Sequence, residues 1–203
     1  MSTASTGTKG VPRAERSDQI LAEAVAEFAT HGYGGASVAT IARRAGISKP
    51  LVYQYFESKD GLFLACLDRT AGQLLQRLEP AWREEDDSVD ARVRTLGALF
   101  EALAPQREAW KLLWDPTMPT SGPLALAAGG YRDRTAQVAT SGSARFLRAR
   151  GRRSPKDTSA LSAVWLGLVD ALVTWWIDHP EESAAAMTAR CARLMTAVLS
   201  DPH

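Results

Sequence analysis

Lys49, Pro50, Tyr53 and Gln54 fall on one side of a helix pattern, because 49/53 and 50/54 are i, i+4 pairs. An ammonium and a carboxamide displayed this way can hydrogen-bond base edges in the major groove of duplex DNA, while hydroxyls and the helix N-terminus hold phosphates. No acidic residue occurs from Ser37 to Phe56, so nothing on this stretch repels a polyanion.

The elements around these residues are cut to hold them. Ser37 is placed as an N-cap, and Val38, Ile41, Ala42 and Ala45 follow at i, i+3, i+4 and i+7, with Thr40, Arg43 and Arg44 on the opposite face. Gly46 can adopt the left-handed conformation that stops this helix, and Ser48 caps the next. Ile47, Val52 and Phe56 turn toward a core, and Pro50 is harmless in a first turn. The spacing is that of a helix-turn-helix; a plain surface helix of a bundle would not need two caps, a glycine turn and an acid-free face together. Upstream, a helix to about His31 buries Ile20, Leu21, Ala24, Val25 and Phe28, and Gly32 ends it. The GYGGAS segment follows a helix and lacks the third glycine and the lysine of phosphate-binding loops, so it is a turn. Residues 1–12 are small and polar and are expected to be a disordered tail.

From Arg13 through Leu64 the chain resembles the DNA-binding domain of the TetR family of bacterial transcriptional regulators, carried by ILAEAVAEFATHGY, ASVATIARRAGIS and KPLVYQYFESKDGL in that order. The resemblance implies contacts to bases or phosphates from Ser48, Lys49, Pro50, Leu51, Tyr53, Gln54, Tyr55 and Lys59, with Thr40 of the preceding helix as a further candidate. Two positions depart from the family pattern. Ala39 stands where a base-reading arginine can occur, and Leu51 where a small or hydroxylated residue is common, although Leu51 can meet a thymine methyl.

An all-α fold of about nine helices is expected, divided into a three-helix DNA-binding domain at 13–58 and a helical effector-binding and dimerisation domain at 59–203. Ser58 caps a fourth helix with a stripe of Leu62, Phe63, Leu67, Leu74, Leu75 and Leu78, which runs to Glu79 before Pro80. Lys59 at its first turn opposes the helix dipole; a solvated lysine is one explanation, and a nearby DNA phosphate is the one the resemblance offers. Later helix patterns span 89–103, 106–114, 124–150, 158–178 and 181–199, separated by proline- and glycine-containing breakers. The acidic run 84–87 reads as a solvated connection, and the basic run 148–153 as a helix end whose cations suit the dipole.

Composition bounds the function. The chain has 203 residues, 45% hydrophobic and 23% charged, with a net charge of +1, so attraction to DNA must come from a local patch such as Arg43, Arg44 and Lys49. Cys66 and Cys191 lie far apart inside helix patterns and have no disulfide or metal-ligand spacing. His31, His179 and His203 form no metal or nucleophile-base arrangement. The chain is therefore expected to be no enzyme, with no cofactor and no metal. No apolar run reaches membrane-spanning length and no signal-peptide pattern opens the chain, so a cytoplasmic protein with no membrane partner is expected.

Trp82, Trp110, Trp114, Trp165, Trp175 and Trp176 all follow the helix-turn-helix. Aromatics at helix spacing pack cores, and they also line cavities for small organic ligands. The resemblance implies the second use, for a small organic effector, with candidates Leu67, Leu74, Phe100, Leu103, Trp110, Trp114, Tyr131, Phe146, Trp165 and Val169. Helix 158–178 is apolar almost all round, and the last helix carries small residues. A homodimer is expected through Leu161, Leu168, Leu172, Trp176, Ala185, Ala189, Ala192, Met195 and Leu199, with a thick monomer core as the alternative. Paired recognition helices would sit about 34 Å apart on a palindromic operator. The expected function is a sequence-specific regulator, a repressor released by its effector. The alternatives are an all-helical enzyme or carrier of an apolar ligand, and a nonspecific DNA-binding protein.

Overall fold

Stretches of apolar periodicity separated by caps become helices throughout the computed structural model, which describes residues 11–83 and 88–199. The tail at 1–10 and the acidic run at 84–87 lie outside the described residues. Among those described, the elements are α1 Arg13–Gly35, α2 Val38–Arg44, α3 Lys49–Phe56, α4 Lys59–Leu67, a π turn Asp68–Gly72, α5 Gln73–Arg83, α6 Val89–Leu103, a 3-10 turn Arg107–Ala109, α7 Trp110–Leu113, α8 Gly122–Ala149, α9 Pro155–Ile177 and α10 Ala184–Leu199. The π turn joins α4 and α5 into one rod, which makes nine rods in all among the described residues.

Local chemistry sets the boundaries. Gly32 breaks α1 with φ +67° and ψ 170°, and the Ala36 amide then bonds the Gly32 carbonyl. Ser37, Ser48 and Ser58 accept from the amides of Thr40, Leu51 and Gly61, capping α2, α3 and α4. Three expected boundaries move. α5 continues through Pro80 to Arg83, since a proline in a final turn removes a single donor and leaves the other bonds standing. Pro155 starts α9 instead of ending the preceding turn, because Ser154 caps it and proline suits the first helical turn. α10 begins at Ala184, not Glu181, since the Ser183 hydroxyl accepts from the Ala186 amide.

One continuous core runs from Ile20, Val25 and Phe28 of α1 through Phe63 and Leu67 of α4 to Phe100, Trp110 and Trp176. α1 packs on α2, α4 and α7, while α10 lies along α6 and α8 along α9. The α6–α10 approach is close because position 97 is glycine: a β-carbon there would stand 3.1 Å from the Thr188 methyl. Met187 and Cys191 are buried on that side of α10. In α9 only Ser162, Val173 and Trp176 are buried. Pro155–Ile177 is long and apolar enough by length and composition to cross a membrane, with an 18-residue window of mean hydropathy 1.6, which corrects the sequence expectation. The segment escaped notice because Asp170 interrupts the run; that carboxylate accepts the Trp110 indole N–H at 2.9 Å and holds α9 to α7.

Candidate nucleic-acid interface and apolar cavities

The turn between α2 and α3 is closed by the Ile47 amide bonding the Ala42 carbonyl at 2.9 Å, with Gly46 at φ +67°. This aims Val52 inward and leaves Ser48, Lys49, Pro50 and Gln54 exposed, with Leu51, Tyr53, Tyr55 and Thr40 half-buried beside them. The Lys49 ammonium lies 5.7 Å from the Tyr53 ring centre and the Arg13 guanidinium 5.1 Å from that of Tyr55, so cations stand over both phenol rings. Lys59 reaches back from α4 to the Gly34 carbonyl at 3.4 Å and stands 4.9 Å from the Tyr33 ring. Its ammonium thereby joins the α1–α2 turn to the α3–α4 corner.

That corner is tightly drawn. Ser58 donates its amide to the Phe56 carbonyl two residues back, around Glu57 at φ +63° and ψ −46°, which is a γ-turn of the strained hand. A β-carbon on Gly61 would stand 2.1 Å from the Phe56 carbonyl oxygen, so α4 can start this close to α3 only with glycine there.

A buried carboxylate organises the base of the unit. Glu27 of α1, 3% exposed, accepts the Ser37 amide at 3.1 Å and the Arg44 guanidinium at 2.9 Å, gripping both ends of α2. Arg44 pairs with this carboxylate while its own side chain stays 44% exposed, on the same open surface as Arg43 and Lys49. A second clasp ties the unit to the helices behind it. Asp115, buried in the α7–α8 loop, accepts the Tyr33 amide, the Thr117 amide at 2.8 Å and the Thr117 hydroxyl at 2.7 Å. Thr117 in turn accepts the Gly34 amide at 2.9 Å. Tyr33 also donates its hydroxyl to Asp60, and desolvation, with the Asp60 contact adding to it, pushes its pKa up to about 12.

Behind the clasp lie two apolar cavities. The larger, about 280 Å³, is walled by α6, α8, α9 and α10 and includes Phe146, Trp165, Leu168 and Met195. The smaller, about 70 Å³, lies between the α5–α6 side and α9 and includes Leu74, Trp110, Trp114 and Val169. Leu96 and Trp165 line both. Burial pushes the Cys191 thiol up at the wall of the larger cavity, and the buried Cys66 thiol likewise. Among the described residues no group of three or more His, Cys, Asp or Glu side chains could hold a metal.

A family model for bacterial regulatory proteins of the TetR family matches residues 20–66, the segment that forms this unit. The chain carries a TetR-family helix-turn-helix domain. It is 33% identical over 115 residues to the transcriptional activator FasR of Mycolicibacterium smegmatis, covering 57% of this chain and 52% of that one. It is 32% identical over 97 residues to the transcriptional repressor ComR of Escherichia coli, covering 48% and 45%. The chain thus spans about half the length of the curated relatives it matches. Likeness of fold extends further. A TetR-like regulator from Rhodococcus superposes over 95% of this chain and 100% of its own with a TM-score of 0.72 at 23% identity. FadR of Bacillus subtilis, solved in complex with stearoyl-CoA, covers 92% and 99% with a TM-score of 0.67 at 19% identity.

Against the TetR domain and the helices behind it, the residues singled out by sequence separate into groups. Thr40, Ser48, Lys49, Pro50, Leu51, Tyr53, Gln54 and Tyr55 gather on α2 and α3, and Lys59 stands at the adjoining corner. Leu74, Trp110, Trp114, Phe146, Trp165 and Val169 line the two cavities. Leu67, Phe100 and Leu103 are packed in the core, with Phe100 edge-on to Trp176 at 5.2 Å. Tyr131 donates its hydroxyl to Asp68 at the π turn, 2.6 Å away. Of the residues expected at a subunit interface, Leu161, Leu168, Leu172 and Met195 line the larger cavity, and Trp176 is buried with its indole N–H on the Glu182 carbonyl. Ala185 and Ala189 are exposed, Ala192 is half-buried, and Leu199 ends α10. Large apolar side chains do stand open on α9 and α10: Val164 is 66% exposed, Leu194 50%, Leu168 39% and Trp175 37%. Sequence reasoning missed Glu27, Gly61, Asp115 and Thr117. Asp115 and Thr117 sat in a loop read only as a breaker, and Glu27 on a helix read only for its apolar stripe.

Proposed function

We propose that this chain is a sequence-specific transcriptional regulator that binds a palindromic operator as a homodimer in the cytoplasm, and that a small organic effector in its C-terminal cavities releases it. The single observation that carries the reading is α3, held by capped turns so that Lys49 and Gln54 project from an open, acid-free face of a TetR domain. The direct contacts to DNA are assigned to Ser48, Lys49, Pro50, Leu51, Tyr53, Gln54, Tyr55 and Lys59, with Thr40 beside them. The open apolar residues of α9 and α10 support pairing of these helices with those of a second copy. Both an activator and a repressor occur among the relatives. Release by the effector fits the clasp: Trp114 lines the smaller cavity, and the next residue, Asp115, grips the turn that carries α2 and α3. A ligand that repositions Trp114 moves the Asp115 anchor and with it the spacing of the two reading heads.

Selection of bound duplexes from a random pool tests this. A two-fold symmetric motif is the expected result, and enrichment of no sequence would remove the claim of specific reading.

A further inference from the structure

The two phenol rings that carry cations on α3 take them from different elements. Lys49 lies on α3 itself, whereas the guanidinium over the Tyr55 ring belongs to Arg13, the first residue of α1. Successive residues of a helix are turned by about 100°, so Tyr53 and Tyr55 lie on opposite flanks of the exposed Gln54. A helix laid in the major groove with Gln54 toward the base edges turns its Tyr53 flank to one strand and its Tyr55 flank to the other. Lys49, beside Tyr53, is the single basic residue of α3, so the Tyr55 flank has no cation from the helix itself. Arg13 supplies one from outside. It is also uncommitted. Two neighbouring charges of α1 are held within the fold, Arg16 by Gln19 at 2.9 Å and Asp18 by Arg69 at 2.6 Å. Arg13 is exposed and, among the described residues, has no hydrogen bond or ion pair; it rests 5.1 Å from the Tyr55 ring centre. A guanidinium stacked on a ring keeps its N–H fork free at the edge of the stack, and that fork fits the paired oxygens of a phosphate. Resting there beforehand reduces the rotamer freedom it loses when a phosphate is bound.

We propose that Arg13, resting on Tyr55, binds a backbone phosphate of the duplex on the Tyr55 flank of α3, so that the start of α1 joins α2, α3 and the start of α4 in the DNA interface. The inference rests on the reading of α3 as the helix that enters the groove, and it adds a contact from outside the helix-turn-helix. The contact carries affinity and not sequence preference, because every duplex offers the same phosphate there.

Affinity of the full chain across a salt series, on the selected duplex and on a fixed mixed-sequence duplex, tests it with Arg13→Gln and Arg13→Lys. Each phosphate contact releases counterions and adds about 0.9 to the slope of log affinity against log salt. Arg13→Gln is expected to lower that slope by about 0.9 for each bound chain and to weaken binding about fivefold at roughly 0.1 M salt, alike on both duplexes. Arg13→Lys keeps the charge and is expected to hold the slope. Ethylation of single duplex phosphates maps the contact: one interfering phosphate per half-site should vanish in Arg13→Gln and persist in Arg13→Lys. Circular dichroism confirms that both variants are folded. An unchanged slope in Arg13→Gln, or an equal fall in Arg13→Gln and Arg13→Lys, overturns the proposal, since packing on Tyr55 alone would move stability and not counterion release. A chain that selects a two-fold motif while Arg13→Gln keeps the full slope loses this inference and retains the regulator reading. A chain that enriches no motif but loses slope with Arg13→Gln on the fixed duplex does the reverse.

Discussion

Lys49 and Lys59 carry the same charge in different settings, and they are expected to act differently on DNA. Lys49 projects from α3, whereas Lys59 is drawn to the Gly34 carbonyl and the Tyr33 ring at the start of α4. Lys49→Ala should relax preference at one base position, at a cost of about 1–3 kcal/mol for the preferred base. Lys59→Ala should weaken binding to all duplexes alike and reduce the slope of affinity against salt. Affinity measured on operator and scrambled duplexes across a salt series separates the two; matching effects on every duplex would remove the division of labour. Glu27 works in the opposite direction, inside the fold. Glu27→Ala strands the Ser37 amide and releases Arg44, and should cost about 2 kcal/mol in urea unfolding, with Glu27→Gln costing less because it keeps an acceptor. Tyr33 and Tyr131 add a dependence on alkaline pH. Each has its pKa raised to about 12 from the usual 10.0, chiefly by desolvation and next by the hydrogen bond to an aspartate. The folded state then holds protons that the unfolded state releases, so this stability is intact below pH 10.0 and is lost as pH rises toward 12. Unfolding curves across that window should steepen less in Tyr33→Phe and Tyr131→Phe; an unchanged slope in both would contradict the assignment.

At the scale of elements, the α3–α4 corner decides where the reading helix points. Gly61→Ala puts a β-carbon against the Phe56 carbonyl, so α4 must move away and α3 must tilt. Operator affinity is expected to fall by about tenfold or more while the helix content by circular dichroism holds, since the clash costs orientation before it costs fold. The caps that frame this corner were readable beforehand. Ser37, Gly46, Ser48 and Ser58 act through their own backbone neighbourhood, and local rules reach that far. What could not be read is whatever depends on a partner distant in the chain. Asp115 meets Tyr33 across the fold, Arg150 finds Phe146 only once α8 has ended, and α10 meets α6 of its own chain where Thr188 reaches Gly97. Tyr131 reads as an aromatic like any other until Asp68 is seen beside its hydroxyl.

The molecule as a whole leaves one side unfinished. Val164, Leu168, Trp175 and Leu194 remain open on α9 and α10, and the larger cavity opens among the same residues. Sedimentation at micromolar concentration should find a dimer, and Val164→Glu with Leu194→Glu should return it to monomer and abolish binding to the two-fold site. A stable monomer in the unaltered chain would exclude pairing through this face.

The π turn at Asp68–Gly72 gives the rod that joins the two halves an angular meaning. Leu67 and Leu74 are seven positions apart, and in an unbroken α-helix they would form a single stripe. A π turn takes up about one additional residue, which rotates everything beyond it by roughly 100°. Leu67 and Leu74 nonetheless both lie in the one continuous core, and Leu74 also lines the smaller cavity. The winding of five residues is thus a phase setting along the rod, and tightening it to α would turn α5 about the rod axis relative to α4.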